Sequence, residues 1–405
     1  MTVIVKHCRL MNTAKGEVMN EKIVFVTNNL QIGGVQISLL NLIKEIHNDF
    51  DVTVLSFFCK EEYKELLPAN VKLVGLKSPF KFLGVSQGEL KGRPFEYIVR
   101  SFWAFWVKLF GRSNAVKLMS FFQRKIGGYD VAVSFLHEGA QKSVYGGCNE
   151  FVLKKVKADQ KIAWLHCDFE QCGANNANSR KIYEQFDKIV ACSEGCKNSF
   201  VNCLPELENK CVAIRNCNDY ERIKQLAENG VEYDKGYFNI VTVARLSQEK
   251  GIERAIEAVK YCKDNGYKVR YHIVGSGITE PVLKKAVQDF GLQNDVFFYG
   301  NQTNPYKFMV NADLFLLTSY HEAAPMVFDE AACLGVPVLA TKTTSTDEMI
   351  VDNKSGFVCE NSAEAVKNSL FEIVGSPSKL DTVREELKKR KFDNESIVLK
   401  LKALF

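Results

Sequence analysis

Two acids and two bases carry the chemistry of this chain. Glu322 and Glu330 lie within residues 314–340. There the apolar run Leu-Phe-Leu-Leu (314–317) reads as a buried strand ended by a polar turn, 318–322. Pro325 suits the first turn of the helix that follows, and Gly335-Val336-Pro337 stops that helix before a second apolar strand. The pattern places Glu322 at the carboxyl end of a strand and Glu330 on the helix behind it. Ligands bind at that edge of open α/β sheets. A carboxylate there accepts hydrogen bonds from sugar hydroxyls, and a ribose cis-diol offers two donors to a second carboxylate.

Arg245 closes an earlier strand in Val243-Ala244-Arg245-Leu246, and Glu249-Lys250-Gly251 opens the next helix. Two fixed cations beside a helix N-terminus suit a diphosphate. Taken alone, such a pair is more often two solvated charges. Val274-Gly275-Ser276-Gly277 is a glycine turn after a strand, where backbone comes close to a nucleotide. Gly33-Gly34 stands between the first strand and a helix, where the lack of a Cβ lets backbone meet a diphosphate.

These loops need strands to hold them. The 405 residues suffice for two domains, and 46% hydrophobic with 25% charged residues fits a soluble globular protein. From residue 23, strands alternate with helices at 23–27, 52–57, 71–76, 129–136, 161–167, 188–193 and 210–215. After a polar stretch the alternation restarts at 238–246 and continues through 269–274, 296–300, 314–318 and 337–341. The expected fold is α/β, two doubly wound Rossmann-like domains facing across a cleft. The expected domains are 21–217 and 237–380, joined by a linker at 218–236. A helical tail, 381–405, packs back on the first domain. Residues 1–20 read as an N-terminal extension, with Met19 as the natural start.

With these motifs assembled, the chain resembles family 4 glycosyltransferases of the two-Rossmann-domain (GT-B) type. The resemblance rests on R-L-x-x-E-K-G at 245–251, the pair Glu322 and Glu330, and E-A-A-C-L-G-V-P-V at 330–338. It implies a retaining, metal-independent transfer of a sugar from a nucleotide diphosphate sugar to an acceptor hydroxyl. Neither a cofactor nor a metal is expected. The resemblance also implies that Arg245 and Lys250 hold the donor diphosphate, Glu330 the ribose, and Glu322 the donor sugar near the reaction centre. Gly33, Gly34, Gly275 and the backbone at Ala324, Met326 and Val327 complete the donor set. Ala323 stands where glycine is commoner, and Pro325 has no N–H to give. His166 ends a first-domain strand in Trp164-Leu165-His166-Cys167-Asp168, at a position where similar enzymes face the donor sugar. Asp168 is the runner-up there and, with His137, a candidate acceptor contact. His137 and Glu138, after Ser134-Phe135-Leu136, form another strand-end pair within expected reach of an acceptor. Ser193 reads as a helix N-cap, and His321 orients its loop.

Between Lys77 and Lys125 ten Lys or Arg face two Glu, a net of +8 against +5 for the whole chain. Eleven aromatics interleave with them, a pattern suited to an anionic membrane surface. The opposing view makes these aromatics first-domain core. Nucleic acid is excluded as a partner because the rest of the chain is not basic. The acceptor expected from the resemblance is a lipid-linked or polysaccharide precursor, which places the protein in the cytoplasm and at the inner membrane face. Thirteen cysteines at irregular gaps, without C-x-x-C, read as reduced core thiols rather than a metal site. A dehydrogenase is disfavoured because Glu280 follows Gly275-Ser276-Gly277 where a third glycine belongs. A nucleotide-sugar epimerase and a non-catalytic subunit of a polysaccharide assembly complex are the rival readings.

Overall fold

The computed structural model describes residues 20–31 and 33–405, so the expected start at Met19 lies outside the described residues. The first sheet contains β1 (Lys22–Thr27), β2 (Asp51–Ser56), β3 (Lys72–Gly75), β4 (Ile126–Ser134), β5 (Val156–Leu165), β6 (Lys188–Ala191) and β7 (Cys211–Ala213). Its strands are parallel in the order β3-β2-β1-β4-β5-β6-β7. The second contains β8 (Phe238–Val243), β9 (Val269–Val274), β10 (Val296–Phe298), β11 (Leu314–Leu317), β12 (Val338–Thr341) and β13 (Gly356–Cys359). These are parallel too, in the order β10-β9-β8-β11-β12-β13.

A parallel sheet is covered on both faces, so its central strands are apolar throughout. Ile23 and Phe25 of β1 enter one core layer while Val24 and Val26 enter the other. In β11, Leu314 and Leu316 face one layer and Phe315 and Leu317 the opposite one. The strand order reverses between β1 and β4 and again between β8 and β11. At such switch points neighbouring loops diverge to opposite faces and leave a crevice.

The polar stretch 218–236 carries the helix Tyr220–Ala227, whose N-cap Asp219 accepts from Arg222 N at 3.3 Å. Tyr220, Ile223 and Ala227 are buried along one face, a stripe too short to show as periodicity. The tail is two helices rather than one. Ser378–Lys389 stays on the second domain, with Leu380 in its core. Glu395–Leu404 crosses to the first, where Ile397 and Leu401 enter the layer beneath β1. Phe405 meets Phe25 and Phe50 edge to face. Asn394 makes the crossing, donating from Nδ2 to Glu45 Oε1 at 2.7 Å and to the Asn218 carbonyl at 2.8 Å.

Candidate active site

The loops after β8 and β11 meet at the second switch point because these strands are neighbours. Lys250, at the end of the short turn Gln248–Lys250, reaches Glu322 Oε1 with Nζ at 2.5 Å. Ser319 Oγ donates to the same oxygen at 2.6 Å. Both charged side chains are mostly shielded, so removing either partner leaves a partly desolvated charge unpaired. Arg254 sets this geometry. It is buried on the helix Ile252–Asp264, gives Nη2 to the Thr318 carbonyl and Nη1 to Asn361 Oδ1 at 2.8 Å, and stacks over Tyr320 at 3.8 Å. Thr318 Oγ1 donates to the Gly251 carbonyl at 2.7 Å and Tyr320 N to that of Glu249 at 2.8 Å. The two loops are therefore one rigid unit.

Arg245 lies at the same edge but is not drawn into the pair. Its side chain is 74% exposed, and among the described residues its ion contact is a loose one to Glu249 Oε1 at 3.6 Å. A cation so placed is free to follow a ligand. Glu330 is buried on the helix Met326–Cys333. Burial pushes its carboxyl up to about 7, a hydrogen bond with Tyr306 opposes this, and the nearby Asp329 charge adds to it. Ala324 lies just before that helix, while Met326 and Val327 form its first turn.

On the first domain, His166 follows β5 and packs against Phe135 at 4.5 Å, near-parallel to Trp164. Its Nε2 has no hydrogen-bond partner among the described residues. Burial, helped by the neighbouring His137, holds the ring well below its usual pKa. His137 is lowered to about 4 by burial and then by the Arg112 charge. Both imidazoles are thus neutral at physiological pH. Glu138 turns inward to a buried ion pair with Arg112 Nη2 at 2.5 Å, which removes it from acceptor contact. Asp168 differs from its expected role: Oδ1 accepts from Ser199 Oγ at 2.6 Å and Oδ2 from Thr344 Oγ1, across the domain boundary. With both oxygens taken by protein donors, it serves as an interdomain tie.

The glycines divide. Gly33 has extended backbone (φ −171°) and Gly34 has open space where a Cβ would stand, so the chain itself does not require glycine at either. They begin the helix Gly34–Ile46, which has no side-chain cap and no acid in its first turn. Gly275 is required by the chain: φ is 137°, and a Cβ would lie 1.9 Å from the Ala244 carbonyl. Close packing against the Ala244 carbonyl by itself accounts for glycine there.

Sequence reasoning missed the seam between the domains. Glu348 accepts from the Glu194 and Gly195 amides, each at 3.0 Å, at the start of the helix Glu194–Cys203. Ser193 is that helix's N-cap, as expected, and its Oγ also meets Ser345 Oγ at 2.6 Å. Asp329 takes Arg215 Nη2 at 2.7 Å and Arg390 Nη2 at 3.1 Å. Tyr306 and Arg254 were missed as well. A buried arginine four places after Lys250 on an apolar helix face was a usable signal for the second. The first opens the one-turn helix Tyr306–Met309, too short to leave a periodic mark.

The aromatics of 77–125 also divide. Phe80, Phe82 and Trp103 are core, whereas Phe95, Tyr97, Phe102, Phe105, Phe110, Phe121 and Phe122 are exposed. On the helix Pro94–Phe110, Phe95, Ile98, Phe102, Phe105 and Leu109 recur every three or four residues as a bare apolar stripe. No helix among the described residues is long and apolar enough to cross a membrane.

Two parallel-sheet Rossmann-like domains, with facing charged loops at a switch point, define the class: the fold is that of GT-B glycosyltransferases. HepE of Anabaena, solved with UDP, superposes with a TM-score of 0.65 at 19% identity, over 94% of this chain and 98% of that one. TarM of S. aureus, solved with fondaparinux, alpha-GlcNAc-glycerol and UDP, gives 0.65 at 15% identity, over 94% and 99%. The model of the family described as glycosyl transferases group 1 matches residues 224–390, most of the second half of the chain. Among curated relatives, the capsular polysaccharide biosynthesis glycosyltransferase CapM of Staphylococcus aureus is 27% identical over 231 residues, 54% of this chain and 60% of that protein. The putative colanic acid biosynthesis glycosyltransferase WcaL of Escherichia coli K12 is 35% identical over 152 residues, 35% and 36% of the two chains. A Campylobacter jejuni N-acetylgalactosaminyltransferase, named for a diphospho-undecaprenol-linked acceptor, is 25% identical over 210 residues, 52% and 55%. The chain thus spans between about a third and three-fifths of the length of these curated relatives.

Proposed function

We propose that this protein transfers a sugar from a nucleotide diphosphate sugar to an acceptor hydroxyl in polysaccharide or glycolipid assembly, with retention and without a metal. The observation that carries the reading is the Lys250–Glu322 pair fixed at the β8/β11 switch point, with exposed Arg245 beside it and buried Glu330 behind. Breaking the anomeric C–O bond builds positive charge on the sugar and negative charge on the departing diphosphate. Lys250 and Arg245 stabilise that leaving group, and the shielded position of Lys250 raises the worth of its charge. Glu322, gripped by Ser319, accepts from donor-sugar hydroxyls. Glu330 accepts from the ribose diol, whose two donors replace the solvation that burial removed. The amides at Ala324, Met326 and Val327 and the uncapped helix after Gly33 and Gly34 supply N–H donors to the diphosphate side. Gly275 shapes the turn beneath the nucleotide. His166, neutral and with Nε2 unpartnered, reaches the sugar from the opposite domain, and His137 lies beside it for the acceptor.

The membrane face is the bare stripe on Pro94–Phe110 with its surrounding basic residues, which suit an anionic surface. A lipid-linked acceptor at the inner membrane face agrees with that stripe and with the acceptor in the Campylobacter relative's name. Purified protein is tested against a panel of nucleotide diphosphate sugars by thermal stabilisation and slow donor hydrolysis. One donor is expected to stabilise the fold and release its nucleotide diphosphate. Isomerised sugar nucleotide without acceptor would instead mark an epimerase. Stabilisation by no donor would overturn the assignment.

A further inference from the structure

At the far edge of the first sheet, a groove of about 460 Å³ runs between the starting ends of β4 and β5. Lys125, Lys154, Lys157 and Lys161 line it, against one acid, Asp159. Its shape comes from the sequence Gly127-Gly128. There the β4–β5 register shifts between Ile126 and Tyr129, and Gly128 takes φ of +93° with open space where a Cβ would stand. The bulge thus leaves an unfilled cradle flanked by ammonium groups. Lys161 Nζ donates to the Leu153 carbonyl at 2.9 Å, and Lys154 contacts Glu150 at 3.6 Å. Lys125 and Lys157 have no ion pair among the described residues. Burial holds Lys161 below the usual ammonium range; Asp187 opposes that and nearby Lys125 adds to it.

The chain leading into Lys125 is the turn Ser120–Phe122, which packs on the helix Cys148–Lys155 that ends beside the groove. Phe121 and Phe122 are 80% and 66% exposed. Two bare phenyl rings next to unpaired lysines match an interface with an apolar interior and anionic headgroups. β5 runs ten residues from this groove to the His166 end, roughly 30 Å of strand, so the groove is separate from the transfer cleft.

We infer that the groove binds the phosphate of an anionic phospholipid headgroup, with Phe121 and Phe122 entering the acyl boundary beside it. The inference rests on the membrane-face reading above and adds to it a defined anion site. Full-length protein is mixed with phosphatidylcholine vesicles, with and without phosphatidylglycerol, and co-sedimented. Lys125→Ala/Lys157→Ala is expected to lose about 10-fold or more in affinity for the anionic vesicles, with its melting temperature and donor affinity unchanged. Wild-type vesicle affinity in that variant, alongside loss in Phe102→Ser/Phe105→Ser, would overturn the groove and leave the membrane face standing. Competition by soluble glycerol phosphate at the concentration of vesicle headgroups would overturn the lipid as occupant. Indifference of the unaltered protein to every vesicle would overturn groove and membrane face together, whereas the donor panel tests the transfer reading independently.

Discussion

Replacing Glu330 by glutamine tests the donor site through stability as well as binding. Its carboxyl is pushed from 4.5 to about 7, chiefly by burial. Between those values the folded protein keeps a proton that the unfolded chain has lost. Its contribution to stability is therefore fully present below pH 4.5 and lost as pH rises through 7. At 1.36 kcal/mol per pKa unit the loss amounts to about 3 kcal/mol above pH 7. Glutamine has no charge to desolvate and can keep the Tyr306 hydrogen bond. Glu330→Gln should thus stabilise the second domain by about 1–3 kcal/mol at pH 8, the lower figure allowing for its buried amide. At pH 5 the difference should shrink to under about 1 kcal/mol. All three tryptophans, at 103, 106 and 164, lie in the first domain. Amide hydrogen exchange along β11 and β12 is therefore the suitable readout. The same variant should bind nucleoside diphosphate about 10- to 100-fold more weakly, having lost a charged acceptor for the ribose. A stability difference independent of pH, or unweakened nucleotide binding, would refute this account of Glu330.

Lys250→Ala should lower transfer by about 100-fold or more and Glu322→Gln should do likewise, both folding normally by circular dichroism; normal turnover in either removes it from the mechanism. Arg254→Ala leaves the Thr318 carbonyl without its buried donor and frees the loop holding Glu322. A loss of about 2–4 kcal/mol in second-domain stability is expected in urea. Gly195→Val sets a Cβ where the Thr344 carbonyl is 1.9 Å away, which must part the Glu348 contacts. Small-angle scattering should show a more open particle, and an unchanged profile would mean that the seam yields elsewhere.

Much of this was legible in the chain because parallel strands buried on both faces leave continuous apolar runs, and the loops that follow them carry their polar residues in order. Glu322, Arg245, Lys250 and Glu330 were each assigned to a strand end or the helix behind it by that rule alone. The tail was harder. Leu380, Ile397 and Leu401 look alike in sequence, yet one packs on the second domain and the others on the first. The aromatics of 77–125 show the same limit, since Trp103 and Phe102 are adjacent and only one is buried.

The sequence by itself determined the two doubly wound sheets, the residues at their carboxyl edges and the basic, aromatic character of one first-domain segment. Tertiary structure alone decided which of those edges touch. Lys250 and Glu322 are separated by three strands and the helices between them, and become partners only because β8 and β11 are neighbours in the sheet. Asp168 became a tie between domains, and Glu348 a cap on a helix 153 residues earlier, for the same reason. Local pattern fixes what a segment is, because periodicity and turn chemistry act over a few residues. Pairing across a hundred residues depends on strand order and domain packing, which no local window contains.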